Sequence, residues 1–163
     1  MELKNNALFK ETCFIGGKWI ESDSKEKIKV DNPASGEIIG EVPKCSTSET
    51  QKAIQEAQSA FPAWRDKTAK ERSIILQKWA RLIEANADDL AKIMTIEQGK
   101  PLAEAKGEIL MGVTYIDFYA EEGKRVYGDI IQDPLPDRRI LIIKQPVGVV
   151  GACLLYTSPS PRD

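Results

Sequence analysis

The chain has 163 residues, one domain's worth, with 23 basic and 25 acidic side chains giving a net charge of −2. The two signs are interspersed, so no basic face offers itself to nucleic acid or an anionic membrane, and the longest apolar run, residues 147–155, is far short of the roughly 18 residues of a membrane span. Histidine is absent, which removes Ser-His-Asp and Cys-His nucleophile pairs, histidine-ligated zinc and the H-E-x-x-H motif.

In chain order, residues 1–14 show no basic stretch followed by an apolar run, so no signal peptide is read and a soluble, cytoplasmic protein is expected. Residues 13–20, CFIGGKWI, form a strand-like run broken at Gly16-Gly17 by a tight turn. A binding role for these glycines is the alternative. Residues 27–30 read as another strand. Asn32-Pro33-Ala34-Ser35-Gly36-Glu37 is turn chemistry, and residues 37–42 return with Ile38, Gly40 and Val42 on one side. A small β-meander is predicted. Cys13, Cys45 and Cys153 are widely spaced without a C-x-x-C pair. They make neither a metal set nor a disulfide framework, and Cys13 and Cys45 are expected to be ordinary small residues.

Ser46 and Glu49 have capping-box spacing, and the helix after them carries Ala53, Ala57, Ala60, Phe61 and Trp64 on one side, with Pro62 near its end. Thr68 and Glu71 make a second capping box. Its helix presents Ile75, Trp79, Leu82 and Ile83 as an apolar stripe. A break falls at residues 86–89, where Asp88-Asp89 complement a helix N-terminus. Leu90, Ala91 and Met94 continue to Gly99, which suits a left-handed helix end, and Pro101 suits the first turn of the next helix. There Leu102, Ala105, Ile109, Val113, Ile116 and Ala120 make one apolar stripe, and Gly128 fits a stop. The adjacent Glu121 and Glu122 point to different sides and read as a solvated face, not an acid–base pair. Residues 129–137 are predicted as a loop, 138–144 as a strand, and the uniformly apolar 147–152 as a buried parallel strand.

Several of these stretches resemble one enzyme family. Glu97-Gln98-Gly99-Lys100-Pro101-Leu102 closely resembles a signature of the NAD(P)-dependent aldehyde dehydrogenase superfamily. Ala103-Glu104-Ala105-Lys106-Gly107-Glu108-Ile109 and Ala120-Glu121-Glu122-Gly123-Lys124-Arg125-Val126-Tyr127-Gly128 resemble its succinate-semialdehyde dehydrogenase branch. Phe14-Ile15-Gly16-Gly17-Lys18-Trp19 and Asn32-Pro33-Ala34-Ser35-Gly36 are similar to the family's opening hairpins, and Trp64-Arg65 to the close of its first long helix. Lys144-Gln145-Pro146-Val147-Gly148-Val149-Val150-Gly151-Ala152 resembles the entry into its cofactor-binding Rossmann-type domain. The implied fold is α/β, the N-terminal part of the aldehyde dehydrogenase fold. It comprises a small β-meander, four or so amphipathic helices, an oligomerisation-type strand and the first strand of a Rossmann-like domain.

The resemblance runs through residues 1–152, expected to be an incomplete N-terminal portion. In the family the apolar stripes of the long helices rest on a further domain, so part of the stripe at Ile75, Trp79, Leu82 and Ile83 is expected to stay wet here. Residues 153–163 resemble one translated frame of a common transposase sequencing adaptor and are expected to be a non-native tail. The family implies an oxidoreductase that takes succinate semialdehyde to succinate with NAD or NADP, through a cysteine thiohemiacetal, an oxyanion hole and a glutamate that activates water. No family catalytic or cofactor-binding position matches a residue of this chain, so none is assigned, nor any metal ligand, and the chain alone is expected to be inactive. The helix over residues 102–125 resembles the one flanking the substrate tunnel. Gly112, Ile116 and Tyr119, at i, i+4 and i+7, are the candidate tunnel residues, with ordinary helix packing as the competing reading. Glutarate semialdehyde or another aldehyde is the alternative substrate. The full-length enzyme is expected to be a homo-oligomer acting on a small-molecule aldehyde, with no nucleic-acid or membrane partner. A non-catalytic helical subunit-interaction module is the alternative of a different class.

Overall fold

A computed structural model describes residues 2–152. The tail expected to be non-native, residues 153–163 with Cys153, lies outside the described residues. Gly16 and Gly17 have φ of +59° and +77°, as a two-residue primed turn requires, and join Cys13–Ile15 (β1) to Lys18–Ile20 (β2) in an antiparallel hairpin. In the second hairpin the Asn32 N–H donates to the Glu37 carbonyl at 2.8 Å, and the Asn32 side chain accepts from the Ala34 N–H at 2.9 Å. That turn joins Lys27–Asp31 (β3) to Ile38–Pro43 (β4). The meander expected from the sequence is thus two separate strand pairs, with no ladder between β2 and β3. The reason lies in residues 21–26, which fold on themselves: the Ser22 hydroxyl donates to the Glu26 carbonyl at 3.1 Å, and Lys25 is left-handed at φ +58°.

Both capping boxes form. Ser46 and Glu49 open Thr47–Arg65 (α1), and Thr68 and Glu71 open Ala69–Ala85 (α2). Asn86 separates α2 from Ala87–Gln98 (α3), which carries Asp88 and Asp89 in its first turn. Leu102–Glu122 (α4) follows the Gly99 corner. Helix α4 packs against both α2 and α3. Their buried positions are Ser73 and Ala80 on α2, Ala87, Asp89 and Ala91 on α3, and Ala105, Val113 and Ala120 on α4. Most of these side chains are small, which permits close approach of the helices.

The α4 stripe is in place with Ile109 and Ile116 half-buried, except that Leu102 is exposed. On α2 the apolar stripe lies away from α4, wet as expected. Ile75, Trp79 and Leu82 point outward, Ile83 is half-buried, and the seam runs along Ser73 and Ala80. A bulky Trp or Leu at the seam would hold α4 away, so the small side of α2 turns inward. Helix α1 touches mainly β1, and its Ala57, Ala60 and Trp64 stay exposed.

Helix α4 ends in a 3-10 turn, Gly123–Arg125, rather than running on to Gly128. Gly128 serves another purpose, because a Cβ there would strike the Ile142 carbonyl. It lies at the start of an exposed antiparallel ribbon, Asp129–Gln132 (β5) with Arg139–Ile142 (β6). The predicted loop at 129–137 therefore contains a strand. The parallel strand expected at 147–152, first of a Rossmann-like domain, forms no ladder among the described residues, and Val147 and Val150 are bare to solvent. A strand exists only with a neighbour to bond to, which an apolar run cannot supply for itself.

Candidate functional site

The two most distinctive sequence motifs meet in space. Gly99 caps α3 at φ +80°, and its N–H donates to the Thr95 carbonyl at 2.9 Å. The Pro101 carbonyl then accepts from the Ala105 N–H at 2.9 Å and starts α4, while Lys100 pairs with Glu108. Against this corner sits the 32–36 turn: a methyl group on Gly99 would lie 3.0 Å from Pro33 Cγ. Asn32, Glu37, Ile38, Ile39 and Ile96 line a hollow beside it. The corner holds no nucleophile and no free acid–base pair. It fixes where α4 begins, and so where the side chains of α4 point.

Helix α4 carries the three candidate tunnel residues. Gly112 and Ile116 are half-buried on the flank of the seam, and Tyr119 is exposed with its ring edge-on to Phe118 at 5.2 Å between centroids. The helix does bring the three to one side, as their spacing requires. A Cβ on Gly112 would meet open space, so the flank is accessible there. Opposite the seam, Met111, Tyr115 and Phe118 form a bare apolar line.

Several charged side chains near α4 are occupied in pairs. Asp88 receives Lys106 at 2.7 Å and Lys4 at 3.5 Å, which hold its carboxyl below the usual range. Asp89 is buried, which raises its pKa. The Asn5 N–H at 2.8 Å, with Lys92 at 3.8 Å, more than offsets that and leaves it lowered. Arg81 bridges Glu84 and Asp117. Glu121 accepts from Gln77 and Lys124, whereas Glu122 pairs with Arg125. The two adjacent glutamates thus belong to different surface networks.

Two arrangements were not legible in the sequence. Glu49 does more than cap α1. It is buried, accepts from the Ser46 hydroxyl at 2.5 Å and the Ser46 N–H at 2.7 Å, and also takes the Asp23 N–H at 2.7 Å. These bonds to the ionised form, the Ser46 hydroxyl foremost, lower its pKa to about 2. The second is a thiol pair. Cys13 on β1 and Cys45, one residue before the α1 cap, place their sulfurs 3.6 Å apart. Although Cys45 is exposed as a residue, partial desolvation of its sulfur by neighbouring atoms, then the Cys13 thiol, pushes it up to about 11. Spacing alone gave no hint, because β1 to β4 bring the two together across 32 positions.

Among the described residues no group of three metal-ligating side chains converges, and no helix is long and apolar enough to cross a membrane. Among the described residues Gly148 and Gly151 lie outside any strand and meet no helix N-terminus of the kind that cradles a pyrophosphate. No described residue is assigned to a dinucleotide, and no chemical step is derived through one.

Comparison with known proteins supplies the context. Residues 19–159 match the aldehyde dehydrogenase family. The chain is 52% identical over 160 residues to a glutarate-semialdehyde dehydrogenase of Pseudomonas putida, covering 98% of this chain and 33% of that protein. It is 48% identical over the same length to an NADP(+) succinate-semialdehyde dehydrogenase of Escherichia coli, again 98% and 33%. The structure superposes on the crystal structure of succinate-semialdehyde dehydrogenase from Burkholderia pseudomallei with a TM-score of 0.88 at 49% identity, covering 91% of this chain and 31% of that one. The chain thus spans about a third of the length of these relatives.

Proposed function

The chain belongs to the aldehyde dehydrogenase family, and from that premise we propose that residues 1–152 are the N-terminal portion of an NAD(P)-dependent dehydrogenase of a short dicarboxylic semialdehyde. Succinate semialdehyde, oxidised to succinate, is the first substrate. Glutarate semialdehyde is the second, favoured by the 52% identity to an enzyme of that name. The observation that carries the reading is near-half identity to semialdehyde dehydrogenases along almost the whole chain, with the same fold over the shared part. No described residue is assigned to the chemical step. The nucleophilic cysteine and the general base are assigned to sequence beyond residue 152, and residues 153–163 to a non-native tail. In this reading α4 contributes Gly112, Ile116 and Tyr119 to the wall of the substrate tunnel. The β5–β6 ribbon contributes to assembly of a cytoplasmic homo-oligomer.

The test begins with resequencing the source DNA across the codons for residues 145–163. The complete reading frame is then expressed and assayed with both semialdehydes and with NAD and NADP. Oxidation of at least one semialdehyde is expected, and none from the 163-residue chain alone. An unbroken frame whose product oxidises neither substrate refutes the substrate class. Turnover by the short chain refutes the placement of the catalytic residues.

A further inference from the structure

We propose that Cys13 and Cys45 are a reversible disulfide site that staples the N-terminal hairpin to the start of α1 when the protein meets a small-molecule disulfide. The two free thiols are already in sulfur–sulfur contact at 3.6 Å. Closing to a bond of about 2.05 Å needs an approach of about 1.5 Å, within reach of side-chain rotation. Cys45 is exposed and Cys13 half-buried, so a reagent reaches the pair from solvent. Both anchors are held: Cys13 by its ladder to Ile20, and Cys45 by the capping box that begins at the next residue. The raised pKa of Cys45 makes the pair slow to react at neutral pH, not incapable of reacting.

The chemistry balances as two exchanges. One protein thiolate attacks a sulfur of oxidised glutathione, forming a mixed disulfide and releasing one glutathione. The second protein thiolate attacks the protein sulfur of that mixed disulfide and releases the other glutathione. The protein loses two electrons and two protons, and one reagent disulfide becomes two thiols. The product ties β1 to α1 around a loop that contains both hairpins.

The test uses the full chain carrying Cys153→Ser, so that only this pair remains. It is treated with oxidised glutathione, quenched with an alkylating agent and mapped without reduction. The expected product has lost two hydrogens, carries a Cys13–Cys45 cross-linked peptide, is reversed by dithiothreitol, and unfolds at a temperature higher by roughly 5 °C or more. The bridge should form at least ~10-fold more readily in native buffer than in concentrated urea. Adding Cys45→Ser should stop the reaction at a glutathione adduct on Cys13. Thiols that stay free, stable adducts on both cysteines, or equal bridging in urea would each overturn the proposal.

Discussion

Replacing Met111, Tyr115 and Phe118 together, by Gln, Lys and Lys, is expected to dissolve self-association of the chain without loosening its helices. The three lie at i, i+4 and i+7 on α4, opposite the buried Ala105, Val113 and Ala120, and are 59%, 59% and 58% exposed. Full burial of a side chain of this kind is worth ~1.5–3 kcal/mol, so covering the exposed three-fifths of each yields about 1–2 kcal/mol. The three together give about 3–5 kcal/mol, roughly a hundred- to a few-thousand-fold in an association constant. An apolar line of this size, with Ile75, Trp79 and Leu82 exposed on α2, is an association hazard in water. Sedimentation over a concentration series should show the natural chain assembling and the triple variant staying monomeric to concentrations at least ~100-fold higher, with unchanged far-ultraviolet circular dichroism. Assembly at the natural concentration, or loss of the helical signal, would refute the assignment of this face as wet and unneeded for the fold.

Three further outcomes follow from the same geometry. Because the Glu49 carboxyl is lowered from about 4.5 to about 2 in the folded chain, its contribution is present above pH 4.5 and lost as pH falls toward 2. The gap in urea midpoint between the natural chain and Glu49→Gln should therefore shrink over that window. Gly99→Ala should cost about 1–2 kcal/mol through its left-handed φ, plus the contact with Pro33, and adding Pro33→Ala should recover only the contact part in a double-mutant cycle. Gly112→Ala meets open space in mid-helix and should stabilise the chain by about 0.5–1 kcal/mol. In the complete enzyme it should raise KM for the semialdehyde if the α4 flank lines the tunnel, and an unchanged KM would argue for plain helix packing.

What the sequence disclosed was what a few neighbouring residues decide among themselves. The Ser46–Glu49 and Thr68–Glu71 boxes, the Gly16-Gly17 turn and the Gly99 corner each close their hydrogen bonds within five residues, and each is found where it was read. The α2 stripe was legible as apolar, but that the contact with α4 runs along Ser73 and Ala80 was not, because small residues carry little hydrophobic signal. The β5 ladder needs a hairpin partner across residues 133–138, which the prolines there disguised as loop, and the Cys13–Cys45 contact needs a partner 32 positions away. Residues 147–152 find no ladder partner among the described residues. For the candidate site, helical spacing did place Gly112, Ile116 and Tyr119 on one side. It could not say what faces them, since a tunnel needs an opposite wall.

The alanine seam has a consequence for how the chain acquires its shape. Alanine has no rotamers to freeze, so docking α2, α3 and α4 through Ala80, Ala87, Ala91, Ala105 and Ala120 sacrifices almost no side-chain entropy. The three helices are also consecutive, joined by one residue at Asn86 and a short corner at Gly99, so little chain must be closed into loops before they meet. The helical layer is thus suited to early assembly, with α4 held between α2 and α3 and its Met111, Tyr115 and Phe118 side left open to whatever is added afterwards.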